Sequence, residues 1–257
     1  MQIKEQENEV LKVAPFDNQL RGSKELHPDL LQPPFSLLLV GPKGAGKSSV
    51  ILRLIYGNKR KKDSTDNHHK FYRHYFDKIY VFSPTWELDP KCKRCKIPDD
   101  QIFDDVEQYD EVIDEIIKGQ EEDIKEDGKD EAPHILFIFS DLAGTKFYSN
   151  NKSTLNKLAF NHRHLKLSII LDSQALRQIN TAFRSNLSGI MLFAGISNRL
   201  ELKKIYEEFF GKYTPQEAKK ILKYVFHDSP FNFLFINFQK RGRYHKNFNP
   251  LQIATSE

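Results

Sequence analysis

Cysteine is scarce in this chain, with two among 257 residues, Cys92 and Cys95. So few exclude a disulfide-built secreted scaffold. Long apolar runs are missing as well. None approaches the roughly 18 residues of a membrane-spanning helix, and the opening MQIKEQENEV is too polar for a secretory signal. The expectation is a soluble, intracellular protein. Charge of one sign is also in short supply overall, at a formal net of +4, but its distribution is uneven. Residues 99–131 hold 16 Asp and Glu against 3 Lys, which leaves 36 basic and 19 acidic side chains in the remainder. A remainder that basic suits a polyphosphate partner such as DNA or RNA, while solvated lysine faces are the bland alternative. With 39% hydrophobic residues, the length fits one large α/β domain with insertions.

The densest chemical signal is at residues 35–57, FSLLLVGPKGAGKSSVILRLIYG. An apolar strand at 35–40 runs into a glycine-rich turn and then an amphipathic helix. Gly41, Gly46, Lys47 and Ser48 satisfy G-x-x-x-x-G-K-[ST], the phosphate-binding loop. Glycines at 41, 44 and 46 let backbone N–H groups approach phosphate oxygens, and the helix N-terminus adds its positive dipole end. The nucleotide-binding set is Gly41, Pro42, Lys43, Gly44, Ala45, Gly46, Lys47, Ser48 and Ser49. Lys47 bridges the β- and γ-phosphates of ATP, and the Ser48 hydroxyl serves Mg²⁺. This predicts an α/β fold of the phosphate-loop class, with a mainly parallel central sheet flanked by helices.

Along the chain, residues 1–34 read as an extended arm ending in Pro33-Pro34 and available to a neighbouring subunit. Lys59-Arg60-Lys61-Lys62 opens a hydrophilic segment that also holds His68, His69 and His74. Residues 76–85, FDKIYVFSPT, predict a second core strand, with Trp86 following at the edge of the site. Cys92 and Cys95 lack two further zinc ligands close in sequence, other than those histidines, and read as reduced surface thiols. Val106, Tyr109, Ile113, Ile116 and Ile117 recur at helical spacing, after which GQEEDIKEDGKDEAP loosens into a linker. The domain expected is therefore 35–250, carrying an acidic helix-and-linker insertion at 99–132, with 251–257 as a tail.

Residues 134–141, HILFIFSD, are a central parallel strand ending in acid, where a phosphate-loop ATPase keeps its second motif. Two acids are usual there, one for the water shell of Mg²⁺ and one for the attacking water. Ser140 stands in the first position. Two registers fit: Asp141 holds the metal and the base lies elsewhere, or Asp141 is the base and Ser140 a weakened metal position. The second is favoured. The strand at 165–171 leads to Gln174, a candidate γ-phosphate sensor. Arg163, Arg177, Arg184 and Arg199 are candidates for an arginine finger. Residues 189–196 predict a fifth strand, Asn198 with Glu201 and Thr214 with Glu217 predict capping boxes, and 231–238 predicts the last strand. Its basic exit, residues 239–246, reads as a backbone-phosphate contact.

The order of these motifs resembles the genome-packaging ATPases of the FtsK/HerA superfamily found in poxviruses, other large DNA viruses, virophages and related transposons. The resemblance is carried by residues 37–49, 76–85, 135–141, 161–174 and FRSN at 183–186, and spans roughly 33–250. It implies a RecA-like (ASCE) domain forming a homo-oligomeric ring. That ring would hydrolyse ATP with Mg²⁺ to move double-stranded DNA into a preformed capsid, beside capsid or portal vertex proteins, in the host cytoplasm or virion. By the same resemblance Lys47 and Ser48 bind phosphate and metal, Gln174 is the sensor, and Arg184 is the finger. Ser140 departs from the family pattern, which has an acid. That departure motivates an alternative: a nucleotide-binding assembly subunit with little or no hydrolysis.

Overall fold

The computed structural model describes residues 2–5, 26–57, 71–149, 154–240 and 243–254. The basic run at 59–62, His68, His69 and the pair Arg241-Gly242 lie outside them. Among the described residues ten strands form one sheet: β1 (Gln2–Glu5), β2 (Ser36–Val40), β3 (Lys78–Phe82), β4 (Ile102–Phe103), β5 (Ile135–Phe139), β6 (Leu167–Ser173), β7 (Gly189–Phe193), β8 (Phe233–Asn237), β9 (Arg243–Lys246) and β10 (Asn249–Ala254). Their spatial order is β1-β10-β9-β8-β7-β2-β6-β5-β3-β4. From β7 to β4 every pairing is parallel. From β7 through β8, β9, β10 and β1 every pairing is antiparallel.

The parallel strands are mainly apolar because helices cover both faces. On one face lies α1 (Lys47–Tyr56), whose Val50, Ile51 and Leu54 pack on Leu37, Leu39, Leu136, Ile138 and Ile170. On the other face, α2 (Tyr109–Asp127), α4 (Thr154–Asn161), α5 (Thr181–Ser185), α6 (Arg199–Phe209) and α7 (Pro215–Phe226) meet Leu38, Val40, Phe137, Phe139 and Leu171. A one-turn helix, α3 (Lys146–Ser149), precedes α4. The strand alternation thus sorts even and odd positions to opposite helical layers. In β5 and β6, even-numbered residues face α1.

Several expectations are corrected. Where it is described, the arm is packed rather than free. Leu30 and Leu31 are buried, Tyr72 donates its hydroxyl to the Leu31 carbonyl at 2.9 Å, and β1 pairs with β10 of its own chain. The acidic segment does not loosen after Ile117: α2 continues to Asp127 and ends at Gly128 in the left-handed region. Glu, Asp and Lys sustain a helix well enough in the absence of proline. Buried Gln120 also ties that extension down, donating to the carbonyls of Pro133 and Leu165 at 2.9 and 3.0 Å. The same insertion adds β4 to the sheet. Strand β8 is not the last, and the boundary at 250 gives way to β10, which runs through Ala254.

Thr214 and Glu217 make a full capping box, whereas Asn198 caps α6 alone. Glu201 turns away to accept from the Leu176 N–H and from Arg177 Nε. Cys92 and Cys95 are buried under Trp86 and Ile97 rather than exposed. Burial pushes both thiols up to about 12, so they stay protonated and unreactive.

Candidate nucleotide-binding site

The carboxyl ends of β2, β5 and β6 open on one cleft of about 890 Å³. Topology puts it there: parallel strands end together on one edge, and the loops leaving that edge converge. The loop after β2 supplies Lys43, Gly44, Gly46, Lys47, Ser48 and Ser49. Gly46 caps α1 at φ 100°, a conformation that a side chain would strain. At Gly41 a Cβ would come within 2.6 Å of Phe193 Cβ, so glycine is what lets the chain turn there. Lys47 Nζ donates to the carbonyls of Gly41 and Pro42 at 2.8 and 3.2 Å, which curls the ammonium back over the loop.

Facing the loop are Asp141, Asp172 and Gln174. Asp141 follows the end of β5 at φ 56°, a left-handed conformation that Asp tolerates better than most residues and that accumulates at functional sites. Its Oδ2 accepts from Thr85 Oγ1 at 2.6 Å, so the turn after β3 aims the carboxylate. Gln174 is exposed at the end of β6. The turn behind it is fixed by Ser173 Oγ, whose one proton is shared between the Ala175 carbonyl and Gln178 Oε1, both at 2.9 Å.

Ser140 is buried and does not line the cleft; it donates its hydroxyl to Asp172 Oδ2 at 3.0 Å. Burial raises the pKa of Asp172 above the ordinary carboxylate range, opposed by nearby Lys47 and by the Asp141 N–H. Asp172 and Thr85 escaped the sequence reading. The one signal for Asp172 was an acid inside the otherwise apolar run LSIILDS.

Arg184 lies outside this cleft. Its guanidinium forks onto Glu208, with Nε and Nη2 each 2.9 Å from a carboxylate oxygen, and also donates to the Ile179 carbonyl and to Thr181 Oγ1. To reach a neighbouring subunit's nucleotide it would have to release all of these.

The remaining wall holds Phe231, 63% exposed, with Asn232, Asn247 and Asn249. Asn247 accepts from the Phe233 N–H at 3.1 Å and donates to Asn232 Oδ1 at 3.1 Å, which sets the wall's shape. An apolar plate with amide edges beside a phosphate cradle is a shape that accepts a nucleobase.

The donor set fits a nucleotide with a hard divalent cation. A hydroxyl at Ser48 and carboxylates at Asp141 and Asp172 are all oxygen ligands. Among the described residues no group of three or more His, Cys, Asp or Glu could hold a metal unaided. That is expected of a cation that keeps waters and takes phosphate oxygens.

The sequence matches the family described as Poxvirus A32 protein over residues 24–208, most of the chain. The chain belongs to the poxvirus A32 family. The A32 assignment agrees with the motif order above, that of the viral genome-packaging ATPases of the FtsK/HerA superfamily. Among solved structures, the chain is similar to B204, the DNA-packaging ATPase of Sulfolobus turreted icosahedral virus, at 18% identity and TM-score 0.54, covering 83% of this chain and 98% of that one. It is also similar to the genome-packaging NTPase B204 of Sulfolobus turreted icosahedral virus 2 in complex with AMPPCP, at 16% identity and TM-score 0.57, covering 84% and 99%. At such identities these two establish the A32 chain's fold, the mainly parallel phosphate-loop sheet. No curated protein sequence matches the chain. No helix among the described residues is long and apolar enough to cross a membrane.

Proposed function

We propose that this chain is an ATP-driven motor that moves double-stranded DNA into a preformed capsid, working as a homo-oligomeric ring beside capsid vertex proteins in the infected cell or virion. One observation carries the reading. In a chain of the A32 family, Lys47 and Ser48 of the phosphate loop share a cleft with Asp141 and Gln174, which arrive from two other strand ends. Such convergence is what in-line attack on a γ-phosphate requires: a cradle, a base and an orienting amide.

The roles follow from position. Backbone N–H groups of residues 43–47 cradle the phosphates, and Lys47 swings from its two carbonyl partners to the β- and γ-oxygens. The nucleobase lies against Phe231, with the amide wall at its edge. Asp141, steered by Thr85, takes the proton of the attacking water, and Gln174 orients that water. Magnesium, bound with the nucleotide, would supply neutralising charge for the phosphates; Ser48 and a second carboxylate of the cleft are the residues that would hold it. The B204 protein of turreted icosahedral virus 2, with its ATP analogue AMPPCP, supports the assignment of ATP.

Steady-state ATP hydrolysis with and without duplex DNA, at two salt concentrations, tests the reading. DNA should accelerate turnover, and the acceleration should fall steeply with salt as phosphate contacts are screened. Turnover indifferent to DNA and salt would reduce the protein to an ATPase without a motor role.

A further inference from the structure

We propose that the carboxylate missing from the second motif has moved one strand sideways, and that Asp172 of β6 serves the cation's water shell in place of the acid that Ser140 lacks. The inference rests on the reading of the cleft as a Mg²⁺–ATP site.

Register puts the two side chains together. Phe139 pairs with Leu171, so Ser140 and Asp172 stand side by side at the strand ends. Leu39 pairs with Asp172 on the opposite flank, which sets Asp172 between the second motif and the strand that feeds the phosphate loop. Both are even-numbered positions on strands whose even positions face α1, the helix that begins with Lys47 and Ser48.

The hydrogen bonds agree. Asp172 Oδ2 accepts from Ser140 Oγ at 3.0 Å and Oδ1 from the Asp141 N–H at 3.2 Å, while Tyr148 donates to its main-chain carbonyl at 2.7 Å. The group is 3% exposed yet borders the cleft with Ser48 and Asp141. An acid so buried is expensive unless charge and hydrogen bonds compensate it. Nearby Lys47 offsets part of that cost, the two hydrogen-bond partners of the Asp172 side chain are neutral, and a carboxylate has about four lone-pair sites, so two directions remain for water or metal-bound water. Ser140 then has a positive role. Its hydroxyl fixes the rotamer of Asp172, as a partner behind a ligand commonly does. A buried acid that merely ties the ends of β5 and β6 together is the competing explanation.

The experiment is equilibrium binding of a fluorescent, non-hydrolysable ATP analogue with and without Mg²⁺, for the full chain, Asp172→Asn and the exchange variant Ser140→Asp/Asp172→Ser. In the wild type Mg²⁺ should tighten binding at least ten-fold. Asp172→Asn should keep the metal-free affinity and lose most of that enhancement. The exchange variant, with its carboxylate returned to β5, should recover it. Mg²⁺ enhancement equal to wild type in Asp172→Asn would overturn the proposal. So would an exchange variant that folds, binds metal-free analogue and shows no enhancement, which keeps the test decisive if Asp172→Asn is unstable. Failure of the wild type to bind the analogue at all would instead strike the nucleotide reading, and this inference with it.

Discussion

Two stretches of this chain present lysine beside glycine or aromatic residues, and the fold uses them in opposite ways. At residues 41–48 a parallel strand delivers Lys47 to an open edge, where two carbonyls are its hydrogen-bond partners and a cleft lies in front. At β9 an antiparallel hairpin turns His245 and Lys246 inward. Lys246 donates to Asp228, sits 5.3 Å from the Tyr224 ring centroid and keeps only 9% of its side chain exposed; His245 stacks on Phe235 and is fully buried. The same residue type borders an open cleft in one place and is an internal tie in the other. What decides is whether the strand ends on a shared open edge or folds back on its neighbour.

The largest break in this contrast is expected from Lys47→Ala, which should slow hydrolysis by roughly 10²–10³-fold, the scale of losing one charge-stabilising group. Its melting temperature should stay near wild type, and a large drop would recast Lys47 as a tie like Lys246. Arg184→Ala should behave the other way and lower unfolding free energy by about 2 kcal/mol in denaturant titrations, because it leaves the buried Ile179 carbonyl unpaired and Glu208 with only Lys204. Arg184→Lys should recover little, since an ammonium cannot fork onto a carboxylate. If instead Arg184→Ala keeps full stability and abolishes only hydrolysis by rings, the side chain is a finger in the assembled state.

Lys246→Met sharpens the hairpin side: the salt dependence of DNA binding should be unchanged, because that ammonium is already committed. A slope reduced by about one contact would return the hairpin to the DNA interface. The smallest effect concerns His162, buried with Nδ1 3.1 Å from the Leu158 carbonyl. Burial lowers its folded pKa, so the unfolded chain takes up the proton first. Its contribution is present above pH 6.5, the unfolded value, and is lost as pH falls below it. Denaturant melts between pH 7.5 and 5.5 should show that decline, and His162→Asn should flatten it.

The phosphate loop was legible because its glycines, lysine and serine are set by local backbone geometry, which a contiguous motif records. Strands β2, β3, β5, β6 and β7 were legible for a related reason, since strands buried on both faces leave continuous apolar runs. Asp172 was not, because its meaning depends on which strand lies beside β5 and in what register. Two lysines of the exit after β8 are tied internally, which charge alone does not reveal. Nothing in Lys240 or Lys246 says that Asp29 and Asp228, far off in sequence or around a turn, will meet them. The length of α2 was missed because its acidic composition was taken for solvation, whereas Gln120 anchors it through carbonyls contributed by other segments.

The central claim is that Lys47, at the open edge of β2, β5 and β6, engages the nucleotide and that Lys246, tied inside the hairpin, does not. Equilibrium titration of a non-hydrolysable ATP analogue with Mg²⁺ into the wild type, Lys47→Ala and Lys246→Met tests it most directly. The account predicts at least ten-fold weaker binding for Lys47→Ala and wild-type affinity for Lys246→Met. Equal affinity of Lys47→Ala and the wild type would contradict it.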